Sequence, residues 1–561
     1  MKSENRAHAA GLHHSHGVPL ALGIGYFCFG WFTLSHQYTF DAISYLWDVE
    51  NSHLAIPLDG SMVTYNFFHS QHLLFSPIVY VFYHAWALFG YGGSALLPAQ
   101  ILNLMEGALT LALTFTLLCR ITDDMALSLL SVLLLGFSFS FWDNTAMVSD
   151  HMASCLFAVV FFGALLNTDL DTASYKRVLW LGILVGGAFL MHQVNGLLGF
   201  VFIAALLMAP GNPVRRLRLF TTFTLAALCS AFIPYLLIGI VVLGNTTVHD
   251  FFFWCFYYAM PGVIDVAGHY GTVGFGKVLE TAESFGASIV GGFYWMNRGF
   301  ETRFLQRTVV PIIAALAAVP FLFAMLHTPR AKMEGGGNSS LYRKAGILSA
   351  AWFILYAVLL FWWWPTYYQL WAVPMVAFIL FVAVSVRRRL KSPLRYHPAV
   401  LIALGMVVAA VLTANAISAF APAHDLRNND YYATTMSIGG RTTPGDLIVI
   451  PGNDEYETYI PYFIHRDIVS LHARLIEHLN DIDGTFEEIR DSMRQAWSNG
   501  HGVFIVSELR DSAIVYADVY DLHHLSNAEV AGRFRQFQVQ ETIETRSVTF
   551  YKLRRPEKVW E

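Results

Sequence analysis

The chain has 561 residues, of which 55% are hydrophobic, 15% aromatic and only 13% charged, and its formal net charge is -5. This balance excludes an ordinary soluble protein, and the absence of a long basic run argues against a nucleic-acid partner. The five cysteines, Cys28, Cys119, Cys155, Cys229 and Cys255, lie in or near apolar segments and form no CxxC pair, so neither disulfides nor a zinc-thiolate site is expected.

Residues 1–17, MKSENRAHAAGLHHSHG, are polar and His-rich and read as a cytoplasmic tail. Its histidines are suited to metal binding, but a disordered tail explains the composition better. No A-x-A-like cleavage site follows the first apolar run, so that run is a retained first helix rather than a removed signal peptide. Apolar runs then recur to Phe420, near the roughly 20 residues a helix needs to cross a membrane. Beyond Pro422 the composition turns to mixed polarity. This divides the chain into a cytoplasmic tail (1–17), a membrane domain (18–422) and an extracytoplasmic soluble domain (423–561).

Basic residues mark the cytoplasmic loops: Lys2 and Arg6, Arg120, Lys176 and Arg177, Arg215 to Arg218, Arg330 to Lys344, and Arg387 to Lys391. An even number of crossings must separate neighbouring marks. The spans are then 18–35, 95–119, 125–142, 152–167, 178–192, 195–209, 219–244, 308–327, 346–363, 368–386 and 398–420. HLLFSPIVYVFYHAWALFG, between the first two, is left as an interfacial helix on the outer face. Residues 282–296 form a marginal further span. The fold class is a polytopic α-helical membrane protein of about 11 to 13 transmembrane helices with a C-terminal α/β domain.

This threading puts the loops at 36–72, 143–151, 245–270 and 297–307 on one outer face. Asp41 follows the first span by a few residues, and Asp150 precedes the fourth in WDNTAMVSDHMAS. A carboxylate so near the bilayer is partly desolvated, which suits it to act as a base. Helix capping is the competing explanation for both, and for Asp150 it serves equally well. His69 and His72, in NFFHSQHLLF, and His249 beside Asp250 are candidate ligands for a divalent ion, although no short ligand spacing such as HExxH is present. Arg298, Arg303 and Arg307, in NRGFETRFLQR, suit bidentate contacts to a phosphate; interfacial snorkelling is the alternative. Asp48 and Glu50, farther along HQYTFDAISYLWDVE, read as solvated or supporting.

An outward helix, an external loop with Asp41, and interfacial helices leading to YHAWALFGYGGSALLPAQILNLMEGALTLALTFTLLCR resemble the GT-C fold of integral-membrane glycosyltransferases. Within that fold the chain resembles the protein O-mannosyltransferases (glycosyltransferase family 39) and the lipid A aminoarabinose transferases. ALSLLSVLLLGFSFSFWDNTAMVSDHMASCLFAVVFFGALL is similar to their third and fourth helices, and VLWLGILVGGAFLMHQVNGLLGF to the fifth and sixth. WWWPTYYQLWAVPMVA is similar to their late external loop. The resemblance, in layout over some 400 residues, implies a multi-pass enzyme of the cell membrane that takes sugar from a polyprenyl-phosphate donor to a lipid, glycan or protein acceptor. It implies that Asp41 is the catalytic base and Asp150 the second-loop acid. It places His72 and His249 near the metal-binding glutamate and histidine of the aminoarabinose transferases. The lipid would run along a groove lined by His69, Trp364, Tyr367 and Tyr368, unless these aromatics form an ordinary interfacial belt. The chain departs from those transferases where a Glu-Lys-Pro-Pro-like motif would stand and reads His72-Leu73-Leu74-Phe75, so neither metal nor substrate carries over on that motif.

A transporter or lipid flippase is the main alternative, because Asn103, Glu106 and Asn195 are polar groups within apolar runs. A sensor with a ligand-binding soluble domain is a third. In that domain DLIVIPG, DIVSLHA, GVFIVSEL and SVTFYKL read as strands, and LIEHLNDIDGTFEEIRDSMRQAWSNG as one or two helices. PGNDEYETY lacks a GxGxxG loop, so nucleotide binding is not supported, and its acids, Asp454, Glu455 and Glu457, read as solvated.

Overall fold

A computed structural model describes residues 17–51, 67–210, 212–256, 275–291, 338–364, 367–390, 392–452, 455–477, 481–511 and 525–556. The N-terminal tail and the span expected at 308–327 lie outside them. The chain forms two compact units: one holds residues 48–257 and 272–424 with the N-terminal 35, the other 36–47, 258–271 and 425–561.

In the first unit the described apolar runs are helical, since a backbone in hydrocarbon must satisfy its own hydrogen bonds. They are α1 (Gly17–Phe32), α2 (Phe40–Asn51, shared with the second unit), α3 (Phe75–Leu88), α4 (Leu96–Thr122), α5 (Met125–Phe137), α6 (Phe139–Ala146), α7 (His151–Leu166) and α8 (Tyr175–Met191). Then come α9 (Leu198–Met208), α10 (Pro213–Leu236), α11 (Val248–Phe256), α12 (Phe275–Ile289), α13 (Asn338–Trp362), α14 (Ala372–Arg389) and α15 (Pro398–Asn415). Among the described residues five helices are long and apolar enough to cross a membrane, or six if α5 and α6, bent by 63°, count as one span. At 14 residues α3 covers about 21 Å, too short to cross. At 15 residues α12 is equally short, and it carries Lys277, Glu280 and Glu283.

Helix packing relies on small residues, as expected where lipid offers no hydrophobic drive to associate. A Cβ on Gly186 would fall 2.8 Å from the Ala227 carbonyl, and one on Gly182 2.5 Å from that of Phe223. This spacing of four lets α8 and α10 approach backbone to backbone. The helix α14 lies mostly buried in the centre, whereas α10 is mostly exposed.

Basic side chains from separate elements meet one set of helix ends. Arg387 Nε donates to the Thr122 carbonyl at 2.7 Å, Lys344 Nζ to that of Thr168 at 2.9 Å, Arg215 Nη2 to that of Ala173 at 2.8 Å, and Arg177 Nη2 to that of Asn167 at 2.8 Å. Three of these cations satisfy orphan carbonyls at the C-terminal ends of α4 and α7, and Arg215 meets one just before α8. The start of α7, about 24 Å away along its axis, carries Asp150 and His151.

In the second unit a sheet of order β2-β1-β3-β5-β4 combines β1 (Leu447–Ile450), β2 (Asp467–Ser470), β3 (Val503–Val506), β4 (Val539–Glu544) and β5 (Thr549–Leu553). The first three pair in parallel and the last two antiparallel. Alternation along the strands builds two cores. Leu447, Val449, Val503 and Ile505 face Phe486, Ile489 and Met493, while Ile448, Ile450, Phe504 and Val506 face Ile438, Tyr456 and Ile460. These belong to α16 (Asp430–Gly439), α17 (Tyr456–Ile464) and, on the other face, α19 (Ile482–Ser498), with α18 (Leu471–Glu477) before it and α20 (Asn527–Arg535) near the end. β4, VQETIE, is an edge strand with only Ile543 buried, so it carries too little apolar signal to read from sequence.

Two acids of the PGNDEYETY loop that read as solvated are placed otherwise. Glu457 sits in the first turn of α17 with its carboxylate on the Ser470 hydroxyl, and burial pushes the Glu455 carboxyl up. Asp454 lies outside the described residues. In α2, Glu50 Oε1 accepts the Ala95 N–H at 2.7 Å. Asp48 is 2% exposed, and burial pushes its carboxyl up to about 8. Its folded pKa therefore lies above the unfolded one, so between about pH 4 and 8 the folded state holds a proton that unfolding releases, and stability falls as pH rises through that window. Asp48→Asn, which mimics the neutral carboxyl, is expected to flatten the decline of the thermal midpoint between pH 5 and pH 8. An unchanged decline in the variant would assign the pH dependence to other groups.

Candidate active site

A break in one helix creates the site. After α5, Ser138 adopts an extended conformation (φ -65°, ψ 143°), and the chain turns into the eight-residue α6 before entering 147–150. At the break itself Asn415 Nδ2 donates to Phe137 O at 2.6 Å, and the buried carbonyls at the end of α6, in the turn after it and at Ser35 must find donors too. Gln100 Nε2 donates to the carbonyls of Ser35 at 2.8 Å and Ala146 at 3.1 Å. Asn103 Nδ2 donates to that of Asn144 at 3.2 Å and to that of Ser149. Asn144 Nδ2 reaches Ser140 O at 2.7 Å and Gln369 O at 3.1 Å, and Ser140 Oγ donates to Tyr368 O at 2.9 Å. Two side chains one turn apart on α4 thus hold the turn that presents Asp150, while α6 holds the late loop at 368–369.

A second break supplies His192. It ends α8 in an extended conformation and caps the following turn, its Nδ1 accepting the Val194 N–H at 3.2 Å. Gln193 Nε2 then donates to the carbonyls of Ser70 at 2.9 Å and Cys255 at 3.0 Å, and Leu74 N to Leu190 O at 3.1 Å. These bonds pull the turn bearing His69 and His72 onto the end of α8.

The result is a buried carboxylate among imidazoles. His151 Nδ1 lies 3.5 Å from Asp150 Oδ1 and His192 Nε2 3.8 Å from Asp150 Oδ2. The His151 and His192 rings are 5.2 Å apart, His72 lies 6.4 Å from His192, and His69 stacks on His72 at 4.2 Å. Burial pushes the Asp150 carboxyl up, opposed by the His192 ring; it pushes His69 down to about 4 and His72 well below its ordinary value. Both of those rings are therefore neutral near pH 7, the form that ligates metals.

Asp150, His151 and His192 each offer one donor atom within 4.8 Å of the others, and they are the group of that kind among the described residues. One carboxylate and two imidazoles suit a borderline divalent ion in type and spacing. His192 Nε2 can ligate only after Nδ1 takes up the proton and gives up the Val194 N–H, because a neutral imidazole cannot accept at both nitrogens while remaining protonated.

The sequence candidates fall in different places. Asp150 and His72 join the cluster, with His69 behind His72. Tyr367 stands edge-on to His151 at 6.1 Å and stacks on Trp364 at 4.6 Å. The buried Tyr368 hydroxyl donates to Asp143 Oδ2 at 3.3 Å. His249 is 84% exposed, 3.3 Å from Asp250, and is not among the three clustered donors. Asp41 is exposed in the first turn of α2, in the second unit. Arg298, Arg303 and Arg307 lie outside the described residues. His151 and His192 escaped the sequence reading, and the available signals were adjacency to Asp150 and the polar HQVNG break between apolar runs.

The architecture is the GT-C fold of integral-membrane glycosyltransferases. The apo oligosaccharyltransferase of Archaeoglobus fulgidus matches it with a TM-score of 0.51 at 11% identity, over 94% of this chain and 73% of that one. ArnT from Cupriavidus metallidurans matches over 95% of this chain and 97% of its own at 12% identity, with TM-scores of 0.44 in the apo state and 0.43 bound to undecaprenyl phosphate. No family model and no curated protein matches the sequence. At such identities the likeness is one of fold, and function has to be argued from the site.

The Asn103 clamp is open to direct test. Asn103→Ala leaves two buried carbonyls without that donor, which should lower stability by about 1–3 kcal/mol, read as a drop in thermal midpoint of the purified protein. Wild-type stability in this variant would show that the broken helix holds without Asn103.

Proposed function

We propose that this chain is a glycosyltransferase that moves a sugar from a polyprenyl-phosphate donor to a lipid, glycan or protein acceptor at the outer face of the cell membrane. The observation that carries the reading is a GT-C architecture with a buried carboxylate–imidazole cluster at the end of its helices remote from the basic residues. Cytoplasmic loops are enriched in Lys and Arg, so the segregation supports a cluster on the outer side; eleven crossings, a cytoplasmic N-terminus and an extracytoplasmic domain from 423 onward belong to the same proposal.

Asp41 is the base in this reading. The acceptor hydroxyl oxygen attacks the anomeric carbon, the bond from that carbon to the phosphate oxygen breaks, the hydroxyl proton passes to Asp41, and polyprenyl phosphate leaves. Arg298, Arg303 and Arg307 bind the departing phosphate, and His69, Trp364, Tyr367 and Tyr368 line the lipid path. Asp150, His151 and His192, with His72 adjoining, are the residues that would hold a divalent ion, which when bound supplies positive charge toward the developing phosphate charge.

A transporter is supported less well. Asn103 is committed to the carbonyls of Asn144 and Ser149, and Asn195 donates to Ala188 O at 2.8 Å while accepting the Tyr356 hydroxyl at 2.8 Å. Both amides hold backbone breaks together, leaving Glu106 of the three.

Purified protein incubated with radiolabelled undecaprenyl-phosphate sugars and a membrane extract as acceptor source should consume one donor. Asp41→Asn should slow that consumption about 10²- to 10⁴-fold without loss of expression; full activity in the variant removes Asp41 from the mechanism. Elemental analysis of protein purified without chelator should find a divalent metal, and His192→Ala or Asp150→Asn should weaken its retention by about tenfold or more. Equal retention in both variants would place any metal elsewhere.

A further inference from the structure

Asp41 lies three residues after a segment that the C-terminal domain grips. The Tyr459 hydroxyl, on α17, donates to the Tyr38 carbonyl at 2.8 Å and accepts the Tyr38 N–H at 3.2 Å. It also accepts from Asn429 Nδ2 at 3.0 Å, and the same amide nitrogen donates to the His36 carbonyl at 2.7 Å. A phenolic hydroxyl has one proton and two lone pairs, so all of its hydrogen-bonding capacity is used. Asn429 is fixed in turn as the cap of α16, its Oδ1 accepting the Tyr432 N–H at 2.9 Å. Both side chains are 1% exposed.

The grip does to Tyr38 what a neighbouring strand would do, satisfying both of its main-chain groups from one side. The rings add to it: Tyr38 lies 6.3 Å from Tyr459 and 6.0 Å from Phe463. Immediately afterwards Thr39 starts α2, its hydroxyl accepting the Ala42 N–H at 3.2 Å and its carbonyl the Ile43 N–H at 3.2 Å. Two residues after this anchored start comes Asp41, with no loose link between.

We propose that Tyr459, backed by Asn429, is a positioning residue for Asp41, so that the C-terminal domain sets the place of the base through the backbone of Tyr38. The proposal rests on the reading of Asp41 as the base. It gives the C-terminal domain a part in turnover that does not require it to bind either substrate. Misplacing a catalytic group by about 1 Å can slow a reaction about 100-fold, so loss of the hydroxyl bears on rate before it bears on affinity.

Tyr459→Phe keeps the ring and removes only the hydroxyl. In the full chain, assayed with whichever undecaprenyl-phosphate sugar the wild type consumes, kcat should fall about 10- to 100-fold with the donor KM nearly unchanged. Hydrogen exchange at the Tyr38 amide should accelerate about tenfold, with amides of the sheet core unaffected. Asn429→Ala, which frees the His36 carbonyl, should act in the same direction and serves alone if Tyr459→Phe does not fold. Wild-type kcat in the folded variant, or a loss confined to KM, overturns the proposal while leaving Asp41 as base. An active Asp41→Asn overturns the reading beneath it as well.

Discussion

Two amide side chains on α4 hold the end of α6 and the turn that carries Asp150. Gln100 and Asn103 reach the carbonyls of Ser35, of Asn144 and Ala146 at the end of α6, and of Ser149 in the turn after it, while Asn415 Nδ2 donates to Phe137 O at 2.6 Å beside the 63° bend between α5 and α6. In a low-dielectric interior an unmet carbonyl is expensive, so the end of α6 and the turn after it depend on these donors. Everything that gathers around Asp150 follows. The turn delivers the carboxylate to the head of α7, α6 fastens the 368–369 loop through Ser140 and Asn144, and the break at His192 answers from the other side.

The same logic recurs at each functional position. His69 and His72 occur in the short turn before α3 and His192 where α8 stops, not along helical lengths, and Gln193 joins the two by donating to main-chain carbonyls. Helical interiors in a membrane satisfy themselves, whereas helix ends leave groups to be met, and the residues that meet them also hold chemistry in place. On the far side Arg387, Lys344, Arg215 and Arg177 perform the equivalent task with positive charge. One molecule thus has a cationic end that closes carbonyls and an imidazole-carboxylate end that closes around Asp150.

Polar residues inside apolar runs have two explanations, and the structure separates them. Asn103 and Asn195 suggested a substrate path by their position in the sequence. Their partners are main-chain carbonyls and the Tyr356 hydroxyl, which makes them part of the scaffold. Asp48 underwent the opposite change: it read as solvated or supporting, but it is buried.

The sequence alone determined the features governed by local composition. Apolar length set where helices lie, alternation in LIVI and VFIV set strands with two covered faces, and Lys and Arg at loop positions set which helix ends belong together. The GT-C layout was legible as a resemblance carried by the order of helices and loops, and Asp150 as a candidate. Only the tertiary structure decided what depends on distant partners: that His151 and His192 close on Asp150, that Asn103 is a clamp, and that Tyr459, 421 positions away, completes the backbone of Tyr38. A hydrogen bond between such residues leaves no periodicity in either segment, since its energy depends on geometry that only the folded chain creates.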